Sequence, residues 1–365
     1  MSDIFDYLLW RGDLPMDAVP PNPVDTLILS ELCYLDFEGL VSGDFRHPVP
    51  LHVVNQAFQT LPDREERVRV KKDAELLEAC ARTERFGRLQ LVFYRSEHLP
   101  QLQSQFAAVT VLLPGGGAMV VFRGTDNTLT GWKEDFNMTF QPCVPAQEKA
   151  LRYLEAFARS FPGPIRMAGH SKGGNLAVYA AAGAQPELQE RIVSIHNHDG
   201  PGFDQTMMHD PGYRAMLPKI RTFLPQSSVV GMLLEHEEPY TVVKSRQVSL
   251  LQHDPFSGEV LGGDFIHMEE ITENSIFLDK TIKTWLAGRT LEERNEFVDA
   301  VYELLSLGQS EDVRHLILPR NVLRYLRTLH ANEQMRAVIT REFARLFRTA
   351  VELRRQKELP QLPSG

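Results

Sequence analysis

One run of residues restricts this chain more than any other: 164–184, "PIRMAGHSKGGNLAVYAAAGA". It joins a short apolar segment to a Gly-x-Ser-x-Gly turn, and the turn to a helix of almost wholly small or apolar residues. Such a helix suits tight packing against a sheet, so 164–169 reads as a buried strand and 173–184 as a helix lying on it. A serine on a sharp strand-to-helix turn needs residues without side chains two places to either side, because strained backbone, strand and helix meet there. The helix N-terminus then points unpaired N–H groups at charge developing near the serine. Five residues alone are common in ordinary turns and phosphate loops. Their strand–turn–helix setting is what marks Ser171 as a nucleophile and the backbone N–H of Lys172 as an oxyanion donor.

The rest of the chain supplies a sheet for that unit. Apolar positions Leu27, Leu29, Leu32 and Leu35 predict a helix over 23–40 behind Pro23, and 73–83 reads as another. "AAVTVLL" (107–113) and "AMVVFRG" (118–124), separated by "PGGG", form a hairpin. A helix over 146–161, strands at 191–198 and 219–224 and a helix near 203–216 complete the alternation. Strands alternating with helices imply parallel crossovers, so the expected fold is α/β: a three-layer α/β/α sandwich with a mostly parallel central sheet.

At 365 residues and 43% hydrophobic, the chain can bury one large core and an appendage. The boundary falls near 275, giving a catalytic domain over 1–275 and a C-terminal helical region over 276–365. Thr290 and Glu293 make a capping box before Phe297, Val298, Val301, Leu304 and Leu305, a run that Gly308 ends. The stretch 320–355 is amphipathic, with many arginines opposite its apolar face. It reads as an appendage packed on the core, with docking to a membrane surface or a partner as the alternative.

A formal charge of −9 with no dominant basic run before residue 300 argues against nucleic acid as a partner. No run of 18 apolar residues is present, and the N-terminus lacks the pattern of a secretory signal. Cys33, Cys80 and Cys143 are odd in number and widely spaced, which suits reduced thiols. The expected compartment is therefore the cytoplasm.

"VVFRGT", "GW", "DF" and "GHSKGGNLA" together resemble the class 3, fungal-type lipase group of α/β-hydrolases. With "QFAAVTVLL", "PAQEKALRYLE" and "HDPFSG" they are similar, over roughly residues 23–270, to an uncharacterised bacterial family of lipase-like hydrolases. The resemblance implies an α/β-hydrolase fold, no cofactor and no metal, and Thr125 as the second oxyanion-hole residue. Trp132 and Asp135 are read as packing and loop-bracing groups.

The base and the acid are less direct. His170 abuts Ser171, but its side chain should point away and pack under the elbow. In α/β-hydrolases the histidine follows the acid in chain order, which leaves His236, His253 and His267. His253, in "LLQHDPFSG", sits where the lipase-like pattern places its histidine. The acid departs from that pattern: the matching stretch, Pro225–Gly231, carries no carboxylate. Asp199, at the end of the strand after the nucleophile's, is the candidate, in a "D-G-P" that resembles pancreatic-type lipases. Asp254, Glu235, Glu237 and Glu238, or a dyad with no acid, are the alternatives, and a turn aspartate is the structural reading of Asp199. A rival use of this region is a metal site built from His196, His198, Asp199 and either His253 or His209.

The expectation is a serine hydrolase acting on a small-molecule or lipid ester through Ser171, His253 and Asp199. Lys172, where lipases commonly carry an apolar residue, is read either as favouring an acidic substrate group or as a surface cation. A non-catalytic binding module of the same fold and a lipid-surface protein are the competing readings.

Overall fold

The computed structural model describes residues 2–126, 128–308 and 319–358. Among the described residues eleven strands are formed: β1 Val49–Pro50, β2 Gln90–Leu99, β3 Ser104–Leu113, β4 Gly117–Phe122, β5 Ile165–His170, β6 Ile192–His198, β7 Ile220–Pro225, β8 Tyr240–Val243, β9 Val260–Leu261, β10 Asp264–Phe265 and β11 His267–Met268. Nine of them make one sheet in the order β1-β2-β3-β4-β5-β6-β7-β8-β11, and β9 and β10 pair separately.

The sheet is mixed rather than mostly parallel. Neighbours from β4 to β8 run parallel, whereas β1 to β4 and the β8–β11 edge are antiparallel. The β2–β3 and β3–β4 pairs are antiparallel because their connections are short; in "PGGG", Gly115 and Gly116 take positive φ of 83° and 86° and close the β3–β4 hairpin. The parallel pairs β4–β5, β5–β6 and β6–β7 are each joined through helices that cross over.

Helices cover both faces. Helices α1 (Ile4–Arg11), α2 (Pro23–Leu32), α3 (Leu51–Gln59) and α4 (Lys71–Ala81) share one core with Val109, Val111, Met119 and Val121. Helix α5 (Leu129–Met138) follows β4. Helices α6 (Pro145–Ser160), α7 (Lys172–Gly183) and α10 (Pro211–Met216) share the other core with Ala108, Ala118, Val120 and Phe122, while α8 (Pro186–Arg191) and α9 (Gln205–Met208) are short connecting turns. Along β4, alternate residues enter opposite cores, as the two-residue period of a strand requires.

Two expected helices differ in extent. The predicted helix over 23–40 stops at Leu32, and Leu35 and Phe37 continue the apolar pattern as a buried turn. The stretch 203–216 is two short helices broken at His209 and Asp210.

Beyond β11 the elements among the described residues are all helices: α11 (Glu273–Ala287), α12 (Leu291–Ser306), α13 (Pro319–Ala331) and α14 (Glu333–Glu358). Parts of the expected 276–365 region, 309–318 and 359–365, lie outside the described residues. Asn332 splits 320–355 into two helices, its side chain accepting from Met335 N. Helix α14 packs along both α11 and α12, and α12 packs on α5. Among the described residues no helix is long and apolar enough to cross a membrane.

Candidate active site

Ser171 sits between β5 and α7 with φ 57° and ψ −134°, a conformation that non-glycine residues adopt at a cost of about 1–3 kcal/mol. Crowding holds it there. A Cβ on Gly169 would lie 2.1 Å from the carbonyl of Gly173, and one on Gly173 would lie 2.2 Å from Phe122 O. Both glycines of Gly-x-Ser-x-Gly are thus places where one backbone touches another. The Ser171 N–H donates to His198 O at 2.9 Å, which ties the elbow to the next strand.

The side chain of Ser171 donates from Oγ to His253 Nε2 at 2.8 Å, and His253 Nδ1 donates to Asp199 Oδ2 at 2.7 Å. Asp199 ends β6 with φ 54° and is buried. Its second oxygen, Oδ1, accepts from Ser228 Oγ at 2.5 Å, and Ser228 Oγ in turn accepts from Gly231 N at 3.1 Å. Ser228 belongs to Pro225–Gly231, the stretch in which the lipase pattern would place the acid. That stretch therefore supplies a hydroxyl donor to a carboxylate one strand away.

His170 points under the elbow, as its place beside Ser171 suggests. Tyr34 Oη lies 3.0 Å from His170 Nδ1, and His170 Nε2 lies 2.9 Å from His253 O. Because a carbonyl only accepts, the ring carries its proton on Nε2 and Nδ1 accepts from the tyrosine. Burial holds the His170 pKa well below the usual histidine range, with the His253 ring also opposing a charge, so it stays neutral. It steadies the backbone that carries His253.

Lys172 is neither a surface cation nor directed at a substrate. It is 1% exposed, and its Nζ donates to Gln105 O at 3.1 Å and to Glu134 Oε2 at 2.9 Å. Burial opposes its charge, but Glu134 and then Asp135 outweigh that, and the net pKa is raised. Glu134, also buried, accepts from Gln105 N at 3.1 Å and Ala146 N at 3.0 Å.

The neighbouring Asp135 accepts from Thr125 Oγ1 at 2.6 Å and lies 3.9 Å from Lys172 Nζ. Its pKa is pushed up to about 6, chiefly by burial, with Lys172 and the Thr125 hydroxyl pulling the other way. Helix α5 thus meets both expected oxyanion residues. Trp132, read as a packing group, stands half exposed on α5 with Phe136 one turn on.

The alternatives are engaged by other partners. His236 is engaged by Glu238 Oε1 at 3.0 Å and Gly231 O at 2.7 Å, and His267 by Asp264 at 3.4 Å. Glu238 accepts from Thr222 and Tyr213. Asp254 caps the turn at Phe256, and Glu235 pairs with Lys283. His196 Nδ1 and His198 Nε2 both meet Thr26 Oγ1, at 2.7 and 2.8 Å, and His209 bonds Gln205 O. Among the described residues no three His, Cys, Asp or Glu side chains gather as a metal site.

Ser228, Glu134 and Tyr34 are the contacts that sequence reasoning missed. A lysine beside the nucleophile was the one available signal, since a buried cation requires a buried anion. Its partner is 38 residues away and on no periodic spacing.

The fold and site define an α/β protein with a serine, a histidine and an aspartate hydrogen-bonded in series at the strand ends. Residues 80–303 match the family model described as Mbeg1-like, and the chain belongs to that family. No curated protein matches it. Among solved structures it is similar to M37 lipase, with 14% identity over 57% of this chain and 68% of that one at a TM-score of 0.35. It is also similar to the Rhizomucor miehei lipase propeptide complex, with 15% identity over 52% of this chain and 72% of that one at a TM-score of 0.33.

Proposed function

We propose that this protein is a serine hydrolase of the carboxylic ester hydrolase type, with its catalytic unit in residues 1–275 on an α/β-hydrolase plan and a helical appendage over 276–365. One observation carries the reading: Ser171 Oγ, His253 and Asp199 stand in series at 2.8 and 2.7 Å, with the serine on a strained elbow. Side chains that only support a fold have no need of that order or of that backbone conformation.

In this reading His253 Nε2 takes the Ser171 proton as Oγ attacks the ester carbonyl, and Asp199 orients the ring and stabilises the imidazolium. The first N–H of α7, that of Lys172, has no partner within the helix, and with the Thr125 N–H it would hold the oxyanion. His253 then gives its proton to the leaving alkoxide, draws one from the water that attacks the acyl-enzyme, and returns it to Ser171 Oγ as the acyl–Oγ bond breaks. Neither a cofactor nor a metal enters any step. Exposed apolar side chains on the segments that carry the reactive groups, Trp132 and Phe136 on α5 and Val248 and Leu251 just before His253, suit an apolar acyl chain, as in small-molecule or lipid esters.

The test is labelling by a fluorophosphonate probe together with hydrolysis of p-nitrophenyl esters of increasing chain length. Wild type should label once, at Ser171, and Ser171→Ala should do neither while keeping its melting temperature. Hydrolysis that survives Ser171→Ala would overturn the reading.

A further inference from the structure

The C-terminal helices reach this site at two points, and no step of the chemistry uses either. At the first, Lys133 on α5 is 6% exposed although it carries a charge, and α12 is what covers it. Its Nζ lies 2.7 Å from Asp299 Oδ1 and 4.3 Å above the ring of Tyr302. The two residues that follow Lys133 are Glu134, which holds Lys172, and Asp135, which holds Thr125. Helix α5 therefore grips the oxyanion residues with one side and α12 with the other.

At the second point, the start of α11 meets Pro225–Gly231. Thr272 N donates to Gln226 O at 2.7 Å, and Ser275 Oγ donates to Ser228 O. Ser228 is the residue that donates to Asp199. Helix α14 binds the two contacts into one body: it packs on α11 and α12, and Arg345 pairs with Glu293 and Arg289 with Glu342.

We infer that the C-terminal helices are a two-point brace for the active site, in which Asp299 and Tyr302 are positioning residues that hold α5, and through it Thr125 and Lys172, in register with Ser171. The inference rests on the serine hydrolase reading for its effect on rate, but not for its mechanical part. Two features separate the contact from ordinary packing. A cation is buried where an apolar residue would cost less, so the contact has a defined partner and direction. It also acts on the helix whose side chains reach the oxyanion residues, where misplacement by about 1 Å costs up to about 100-fold in rate.

The experiment uses the full chain. Asp299 is 65% exposed, so Asp299→Asn should leave the fold intact. Labelling by the fluorophosphonate probe should slow about three- to tenfold in Asp299→Asn, and further in Asp299→Asn with Tyr302→Leu, the scale expected from loss of one ion pair and one cation–π contact. The fall should appear in kcat with KM unchanged, and Asp299→Glu should restore most of it. Glu296→Gln, which breaks the exposed pair with Arg341 elsewhere on α12, should label at the wild-type rate. Hydrogen exchange should quicken over residues 128–138 in Asp299→Asn.

Wild-type labelling in both the single and the double variant, or faster labelling in either, would overturn the brace and leave the hydrolase reading standing. Unchanged exchange over 128–138 would overturn it as well. If wild type itself never labels, the hydrolase reading fails, and the exchange measurement still decides whether α12 holds α5.

Discussion

Two walls meet at Ser171, and they are held by different forces. The wall of strand ends, with Ser171 after β5, Asp199 after β6 and Ser228 after β7, is set by backbone contact: glycines with no room for a Cβ, and a serine N–H tied to the next strand. The α5 wall is set by charge, with Lys172 on Glu134 and Lys133 on Asp299. Close packing fixes positions to fractions of an ångström and has few ways to relax. A charge pair holds only while both members are present, and losing one leaves the other stranded. The first wall should therefore fail in chemistry while the fold survives, whereas the fully buried Lys172–Glu134 pair of the second should fail in stability.

Removing the hydroxyl in Ser171→Ala should lower kcat by about 10⁶-fold with melting unchanged. Asp199→Asn should lower it by about 10⁴-fold, because the amide can hold the wrong tautomer of His253. Steady-state ester hydrolysis measures both. A loss under tenfold in Asp199→Asn would remove this aspartate from the first wall and leave a dyad.

The α5 wall is broken by Lys172→Met, which leaves the Glu134 carboxylate buried without its cation. The expected cost is about 3–5 kcal/mol, read as a drop in the urea midpoint. Combining it with Glu134→Gln should recover much of that loss, since the Glu134 charge is then gone as well. A cost below about 1 kcal/mol for Lys172→Met would mean that packing, not charge, holds α5.

The same contrast explains what was legible from residues alone. Ser171 and the strand and helix around it are local, so spacing and residue size suffice to place them. Chain order narrows the base to His236, His253 and His267, the lipase-like resemblance points to His253 among them, and a strand end offers Asp199. Ser228 did not, because a serine in a loop carries no signal until the topology sets β7 beside β6. The Lys172–Glu134 pair was hidden for the same reason, and Lys172 was misread as facing outward because charged residues usually do. Of the antiparallel half only the β3–β4 hairpin is legible, because β2, with its exposed and polar second half, lacks the apolar run that marks the other strands.

The histidines of β6, His196 and His198, predict how the fold loses stability in acid. Burial, then Arg166 and Arg221, depress the His196 pKa to about 4, and burial holds His198 well below the usual range. Since the unfolded chain protonates near 6.5 and the folded state resists, full stability is present above pH 6.5 and is lost as pH falls toward 4. His196 alone should account for about 3 kcal/mol. Urea midpoints between pH 8 and 4 measure the fall, and His196→Gln should flatten it. An unchanged slope would place the acid sensitivity in another group.

The smallest effect is the finest test of the first wall. Ser228 Oγ gives Asp199 Oδ1 its side-chain donor at 2.5 Å, so the carboxylate that orients His253 is itself oriented from β7. Ser228→Ala removes a hydrogen bond to a buried charge, a contact of about 1.5–3 kcal/mol, but part of that is recovered when the freed carboxylate turns or admits water. The remainder should act on His253 alone, lowering kcat about tenfold with KM and the urea midpoint nearly unchanged. Ser228→Thr keeps the donor and should keep the rate. Wild-type kcat in Ser228→Ala would show that the Nδ1 bond to Oδ2 orients the ring without help, and the packed wall would then end at β6. A fall in stability with no fall in kcat would give Ser228 a purely structural role, through Gly231 N, and would make the two walls more alike than their contacts suggest.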